Sequence, residues 1–257
     1  MRQAMPDDMF DRVPNSVAKL VKSLQLKKYR KQEQCFLLEG KKSILELLET
    51  DYKIKFIIGS EGFLQNLQKF LNRDREKIFR CSPAELSAMS SLKTNEQGIA
   101  VVEMKEEQNT ASLEDSYVLG LDGINDPGNL GTLIRIADWY GIKHILCSEN
   151  CVDQYNPKVI QASMGSFLRV NIINANLKSF LYHYSQPIIG TFLEGENVHS
   201  FPFPKGGGMI LLGSESHGIS EELLAHITHK ISIPKFGNAE SLNVAVAGGI
   251  ILDNLFR

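Results

Sequence analysis

Along the chain, short runs of consecutive apolar residues take turns with longer stretches in which apolar residues return every three or four positions. The runs have the length of buried strands, and the spaced stretches have the period of helices with one apolar face. Val17–Leu26 reads as a helix, Cys35–Leu38 as a short strand, and Lys41–Glu49 as a helix whose apolar face is Ile44, Leu45, Leu47 and Leu48. Lys55–Gly59 reads as a buried strand, Phe63–Leu71 as a helix and Lys77–Arg80 as a strand. A short helix follows Ser82-Pro83, and Gly98–Met104 is a strand. These elements make a small α/β domain over residues 15–105. Residues 1–14, with Pro6 and Pro14, are a loose leader that docks or frays, and Asn15 or Ser16 would cap the first helix.

Residues 106–116 are polar and lack apolar periodicity, so they read as a linker. A second alternating series then fills residues 117–257. Strands are expected at Tyr117–Asp122, Ile142–Cys147, Val170–Ile173, Ile188–Phe192, Met209–Gly213 and Ile231–Ile233. Helices are expected at Leu130–Tyr140, Pro157–Met164, Leu177–Tyr184, from Glu221 to Ala225, and at Leu242–Leu255. Strands regularly separated by helices imply a parallel sheet with helices on both faces.

Composition adds little until it is divided. The 257 residues carry 28 Lys+Arg and 30 Asp+Glu, a formal charge of −2, but residues 1–105 are net basic and the rest net acidic, so the first domain is the better candidate to meet a phosphate backbone. Cys35, Cys81, Cys147 and Cys151 are scattered, with no second pair or His cluster to complete a zinc site, so no metal is expected. The chain shows no apolar signal segment, and its longest apolar stretch, Val244 to Leu252, is too short to span a membrane. These features imply a soluble protein of the reducing cytoplasm.

Three loops rich in glycine and asparagine each follow an expected strand of the second domain, where open parallel sheets place their ligands. The first runs from Asp122 through Pro127-Gly128-Asn129 to Arg135, with Asp126 or Asn129 as helix cap. Glu149 lies where a ribose-binding acid of a dinucleotide site would sit, but Gly128 and Gly131 do not make the G-x-G-x-x-G spacing. Arg135 lies in the second turn of the expected helix, either within reach of the loop or paired with an acid such as Asp138. The second loop is Gly213-Ser214-Glu215-Ser216-His217-Gly218. Its Glu215 has little packing to do at a strand tip, Ser220 is a plausible cap for the next helix, and His217 is a possible base or a solvated bystander. The third loop leads through Ile233-Pro234-Lys235 to Ser241-Leu242-Asn243, with Ser241 as expected cap. An asparagine at 243 is a poor helix-interior residue, so its amide should bond a loop or a ligand.

With these residues in view, the chain resembles the SpoU (TrmH) family of RNA ribose 2′-O-methyltransferases of the SPOUT superfamily. Asn129 to Arg135, Gly213-Ser214-Glu215 and Ser241 to Ala247 correspond to its three motifs, in order, and the resemblance covers about residues 117–257. Lys19 to Gly40 looks like the start of the small RNA-substrate-binding domain that many members carry in front. Lys235, where members often have Met, and His217 are modest departures. The resemblance implies a parallel sheet with a deep trefoil knot, a homodimer through the knot region, and S-adenosylmethionine as cofactor. It places that cofactor against the backbone around Thr191, Gly213, Ile233 and Leu242. It makes Arg135 the catalytic residue, with Asn129, Glu215, Ser241 and Asn243 orienting it and the ribose.

The implied reaction is methyl transfer to a ribose 2′-hydroxyl, with ribosomal RNA favoured over transfer RNA because of the appended domain. A silent RNA-binding or ribosome-assembly factor is the alternative. On the RNA side, Lys19, Lys22, Lys27, Lys28, Arg30 and Lys31 form an acid-free basic segment around Tyr29, read as the RNA contact. The plain reading of the same residues is a solvated basic helix and loop.

Overall fold

The computed structural model describes residues 10–67, 78–92, 95, 97–105, 113 and 116–257. Apart from Leu113 and Ser116, the expected linker lies outside the described residues. The chain divides into two compact units, the first holding the described residues up to Lys105 together with Tyr155–Pro157 and the second the remainder.

The first unit is built on a five-stranded sheet of β1 (Asp11–Arg12), β2 (Cys35–Glu39), β3 (Ile54–Gly59), β4 (Ile78–Arg80) and β5 (Gly98–Glu103), in the order β1-β4-β3-β5-β2. β1, β4 and β3 are parallel, and β5 runs antiparallel to β3 and β2. The leader therefore docks in its last residues: Phe10 is buried, and the Val13 N–H donates to the Arg80 carbonyl at 2.9 Å. Among the described residues five helices accompany the sheet: α1 (Asn15–Ser23), α2 (Lys27–Glu33), α3 (Lys41–Leu47), α4 (Glu61–Leu67) and α5 (Pro83–Met89). The short helix after Ser82-Pro83 is specified locally. The Ser82 hydroxyl accepts from the Glu85 N–H at 3.2 Å, the Glu85 carboxylate accepts from the Ser82 N–H at 2.8 Å, and Pro83 opens the first turn.

Two expectations need correction. Neither Asn15 nor Ser16 caps α1, since Pro14 occupies the cap position without a side-chain bond. The first helix also stops at Ser23, and a second one, α2, follows. Periodicity could not reveal α2, because the side chain it buries is Arg30 rather than an apolar residue. The core between α1, α5 and the sheet is Val21, Leu24, Leu37, Phe56, Ile58, Leu86, Ile99 and Val101.

The second unit has six parallel strands: β6 (Tyr117–Leu121), β7 (His144–Cys147), β8 (Asn171–Asn174), β9 (Ile188–Asn197), β10 (Gly208–Leu212) and β11 (His229–Ser232), in the order β11-β9-β10-β6-β7-β8. Helices α6 (Pro127–Trp139), α7 (Pro157–Ala162), α8 (Leu177–His183), α9 (Glu221–Leu224) and α10 (Val244–Leu255) separate or follow them. β9 is longer than its apolar run because it changes register. Its first residues pair with both β10 and β11, then 191–195 swing out before Glu196 and Asn197 rejoin β11 opposite Ile231 and Ser232. Val118, Leu146, Leu177, Ile188, Met209, Leu211 and Leu223 fill the core of this unit. No helix among the described residues is long and apolar enough to cross a membrane.

Candidate functional site

The site is assembled at the carboxyl ends of β6, β10 and β11. β6 delivers Asp122, whose N–H extends the ladder to the Leu212 carbonyl at 2.9 Å and whose buried carboxylate accepts from the Ser220 N–H at 2.8 Å. That bond ties the first loop to the second. The next residues are pinned toward β7: the Gly123 N–H donates to Ser148 Oγ at 2.9 Å and the Ile124 N–H to Cys151 Sγ at 3.3 Å. Asp126 then caps α6 by accepting from the Asn129 N–H at 2.8 Å, with Pro127 in the first turn, which places Asn129 at the mouth of the loop.

The loop after β10 closes on itself through two backbone bonds between Ser214 and Gly218, at 2.9 and 3.0 Å, and Gly218 takes φ +69°. Gly213 is required there for space. A Cβ at 213 would lie 2.1 Å from the Gly218 carbonyl carbon and 2.2 Å from the Ile219 nitrogen. The turn aims Glu215 at Asn129 and Asn243. Glu215 Oε1 accepts from Asn129 Nδ2 at 2.9 Å, from Asn243 Nδ2 at 2.9 Å and from the Val244 N–H at 3.4 Å, while Asn243 Nδ2 also donates to Asn129 Oδ1 at 2.8 Å. Asn243, not Ser241, caps α10, with its Oδ1 accepting from the Ala245 and Val246 N–H groups. One amide thus caps the last helix and joins it to the first and second loops.

Three of the five expected catalytic positions, Asn129, Glu215 and Asn243, therefore meet. Ser241 is exposed and outside this network, and Arg135 is too. Because α6 begins at Pro127 rather than Leu130, Arg135 falls in its third turn, about 9 Å of helix rise beyond Asn129. It is exposed and has no ion-pair partner among the described residues. The acid that could have neutralised it is taken: Asp138 holds Arg169 through Nε at 3.0 Å and Nη2 at 2.8 Å. His217 is exposed, with its Nδ1 2.7 Å from Ser216 Oγ.

Three of the four expected cofactor positions lie in or just past adjacent strands. Thr191 is one residue past the Gly190–Leu211 pair, Gly213 directly follows β10, and Ile233 directly follows β11. These are three adjacent strands of the sheet, and Leu242, 47% exposed, precedes the Asn243 cap. On the first unit, Lys19, Lys22, Lys27, Lys28 and Lys31 are exposed, and Lys28 lies 5.8 Å from the Tyr29 ring centre. Arg30 is a correction. It is 2% exposed, and its Nη1 donates to the Leu24 carbonyl at 3.0 Å and the Gln25 carbonyl at 2.8 Å, so it completes the end of α1 rather than facing solvent. Inspection of the sequence missed Asp122 and the Ser148–Cys151 contacts. Their partners are backbone groups distant in sequence, and no local pattern announces them.

The chain is similar to known proteins over most of its length. The model described as the SpoU rRNA methylase family matches residues 116–253, and the one described as an MRM3-like substrate binding domain matches residues 15–100. The 23S rRNA (guanosine(2553)-2′-O)-methyltransferase RlmP of Bacillus subtilis is 30% identical over 94% of this chain and 96% of its own. A solved structure from Porphyromonas gingivalis, assigned to the TrmH family of RNA methyltransferases, is 32% identical with a TM-score of 0.85, covering 94% of this chain and 97% of that one. An AdoMet-bound rRNA methyltransferase from Sinorhizobium meliloti, 24% identical over 96% of this chain and 97% of its own, shares the fold with a TM-score of 0.86.

Proposed function

This chain belongs to the SpoU rRNA methylase family, and from that premise we propose that it transfers a methyl group from S-adenosylmethionine to a ribose 2′-hydroxyl of ribosomal RNA. The observation that carries the reading is the junction of Asn129, Glu215 and Asn243, which locks three strand-end loops together at the start of the helix that carries the exposed Arg135 two turns further on. The experiment compares wild type with Arg135→Ala on labelled S-adenosylmethionine and total RNA from cells lacking the gene, with methylated nucleosides identified by mass spectrometry. A 2′-O-methyl nucleoside in one rRNA, made by wild type only and with cofactor affinity within a few-fold in both proteins, is the expected result. Near-normal turnover by the variant refutes the role of Arg135, and no transfer despite cofactor binding by both favours an assembly factor.

The donor set fits the cofactor. Thr191, where β9 changes register, Gly213 and Ile233, directly after β10 and β11, and Leu242 offer uncharged backbone on three adjacent strands and one exposed aliphatic side chain, suited to an adenine face and a polar tail. When bound, S-adenosylmethionine supplies an electrophilic methyl on a sulfonium. The chain's own task is to hold the acceptor oxygen on the axis of transfer. Arg135, always protonated, clamps the neighbouring phosphate and stabilises the developing alkoxide, and a neighbour or water takes the proton. Asn129, Glu215 and Asn243 are the positioning residues, holding the first turn of α6 against the second and third loops, and Ser241 opens the segment that Asn243 closes.

In the same reading residues 15–105 bind the RNA substrate, supported by the substrate-binding match and by the exposed Lys19, Lys22, Lys27, Lys28 and Lys31. The working form is a cytoplasmic homodimer. Support for the dimer is the packing of α6 on α10, where the Tyr140 ring stacks on Phe256 at 5.7 Å while Trp139 stays 84% exposed and Val246 53%. The deep trefoil knot belongs to this proposal as well. Its support is the strand order, in which β11 passes β10 to pair with β9.

A further inference from the structure

Residues 131, 135 and 138 fall at successive turns of α6 and share one face of it. The two outer positions are each fixed against the same segment, the chain that leaves α7. A Cβ at Gly131 would lie 2.4 Å from Ala162 Cβ and 2.7 Å from the Val159 carbonyl oxygen, so the end of α7 touches the backbone of α6. Met164 at φ +52° and Gly165 at φ +93° then reverse the chain, a short 3-10 turn follows over Ser166–Leu168, and Arg169 comes next. Its Nε donates to Asp138 Oδ1 at 3.3 Å and Oδ2 at 3.0 Å, and its Nη2 donates to Oδ2 at 2.8 Å and to Ser166 Oγ at 3.4 Å. Arg135 lies between these two contacts and is itself exposed. The Asp138 side chain is only 24% exposed, so without Arg169 its carboxylate would draw the next cation within reach. Along the helix that cation is Arg135, three residues back, at the spacing where side chains become neighbours.

We propose that Arg169 is a positioning residue for Arg135: by holding Asp138 with two nitrogens, it keeps that carboxylate from the guanidinium one turn before it, so Arg135 stays open to an anionic oxygen of the substrate backbone. The choice of arginine at 169 follows from geometry. Its planar fork reaches both oxygens of Asp138, whereas a lysine would meet the carboxylate as a point charge and leave one oxygen open. Ser166 and the 3-10 turn before Arg169 hold the fork in place, and the close packing at Gly131 fixes the other end of the same segment. A half-exposed ion pair contributes little to stability by itself. Its larger effect is on which cation Asp138 does not take, because a guanidinium turned toward Asp138 presents its paired N–H groups to a carboxylate instead of a phosphate.

The bearing on methyl transfer rests on the function proposed above, whereas the pairing itself does not, and the experiment reads the two separately. Wild type, Arg169→Met and Asp138→Asn/Arg169→Met are treated as full chains with phenylglyoxal, which modifies open guanidinium groups, at a temperature where circular dichroism shows all three folded. Modification of Arg135 is followed as lost tryptic cleavage after that residue. It is expected to slow by about two- to five-fold in Arg169→Met, the weight of one ion pair at a partly exposed helix position, and to return to the wild-type rate in the double variant. Single-turnover methyl transfer on total RNA, at saturating cofactor, is expected to fall by the same factor in Arg169→Met and to recover in the double variant. Both variants lack the pair between 138 and 169, so a merely structural role would slow transfer in both alike, and a direct RNA contact by Arg169 would leave the double variant as slow as the single one. The proposal is overturned by an unchanged labelling rate in Arg169→Met, by equal slowing of labelling or transfer in both variants, or by transfer that Arg169→Met leaves untouched. Labelling in the expected order in a protein whose wild type transfers no methyl group would uphold the pairing and overturn the enzyme.

Discussion

Asn243 performs two separable jobs, and two substitutions divide them. Asn243→Ala removes both. Losing the Oδ1 acceptor that caps α10 costs about 1 kcal/mol, and losing the two amide bonds to Asn129 and Glu215, at an exposed site, costs roughly 0.5 kcal/mol each. The sum is about 2 kcal/mol, which for a unit of this size lowers the melting temperature by roughly 4–8 °C. Asn243→Asp keeps an oxygen for the Ala245 and Val246 N–H groups, and its charge is welcome at a helix N-terminus. It cannot donate, however, and it sets a second carboxylate where an amide now lies 2.9 Å from Glu215 Oε1. The two lost amide bonds cost about 1 kcal/mol and repulsion at that separation in a solvated site about 1 kcal/mol more, of which the helix dipole returns about 0.5–1 kcal/mol. The Asp variant should therefore lose about 1 kcal/mol, roughly half of what the Ala variant loses, yet lack the three-loop junction just as fully. Thermal unfolding followed by circular dichroism, alongside single-turnover methyl transfer, tests the division. Turnover is expected to fall by about ten- to hundred-fold in both variants, as misplacement of reacting groups requires, with the larger loss of stability in the Ala variant. Wild-type turnover by Asn243→Asp would show that the junction does not position the reaction, and an unchanged melting temperature in Asn243→Ala would refute the cap.

Three further outcomes follow from the geometry. Gly213→Ala must move backbone rather than a flexible side chain, so it should destabilise the second unit by roughly 2–4 kcal/mol and weaken cofactor binding; an unchanged urea midpoint would contradict this. Arg30→Met leaves the Leu24 and Gln25 carbonyls without their buried donor and should cost about 2 kcal/mol, whereas Lys27→Glu with Lys28→Glu should spare stability, weaken RNA binding and flatten its salt dependence. Equal loss of RNA affinity in both, measured where both are folded, would refute that distinction. Glu85 is held down at about 2, from an ordinary 4.5, by hydrogen bonds from the Ser82 backbone, the Ser82 hydroxyl and the Arg12 guanidinium. A lowered folded value means its contribution is fully present above about pH 4.5 and fades as pH falls toward 2. The melting-temperature gap between wild type and Glu85→Gln should close on acidification, and a gap constant from neutral to acid pH would disprove it.

The second unit was legible because strands such as β7 and β10 carry buried apolar runs between polar loops, so all six strands start within about two residues of where the pattern places them. Departures occur where a tertiary partner decides. β9 continues past its apolar run because β11 offers a second register, and β1 is two polar residues that no pattern marks. At the site, an asparagine at the start of a helix signalled a side-chain bond, but which of Ser241 and Asn243 caps depended on where Glu215 and Asn129 stand. Arg135 was placed too near the loop because the helix start was read from Leu130, the first apolar residue, although Asp126-Pro127 is the stronger start signal. Arg30 was misread for the opposite reason. Charge density along a sequence does not tell which charge the fold turns inward, and only its two carbonyl partners show that.

That inward arginine has an entropic consequence for the lysines around it. By joining the end of α1 to the body of α2, Arg30 fixes Lys19 and Lys22 on one helix relative to Lys27, Lys28 and Lys31 on the next. A basic tail must surrender its backbone freedom when it meets a phosphate chain, and that loss is subtracted from every contact it makes. Here most of that freedom is already gone before any encounter, so under the proposed function the five exposed ammonium groups would meet a polyanion as a ready-made pattern. One cation withheld from the surface lowers the entropic cost of using the other five.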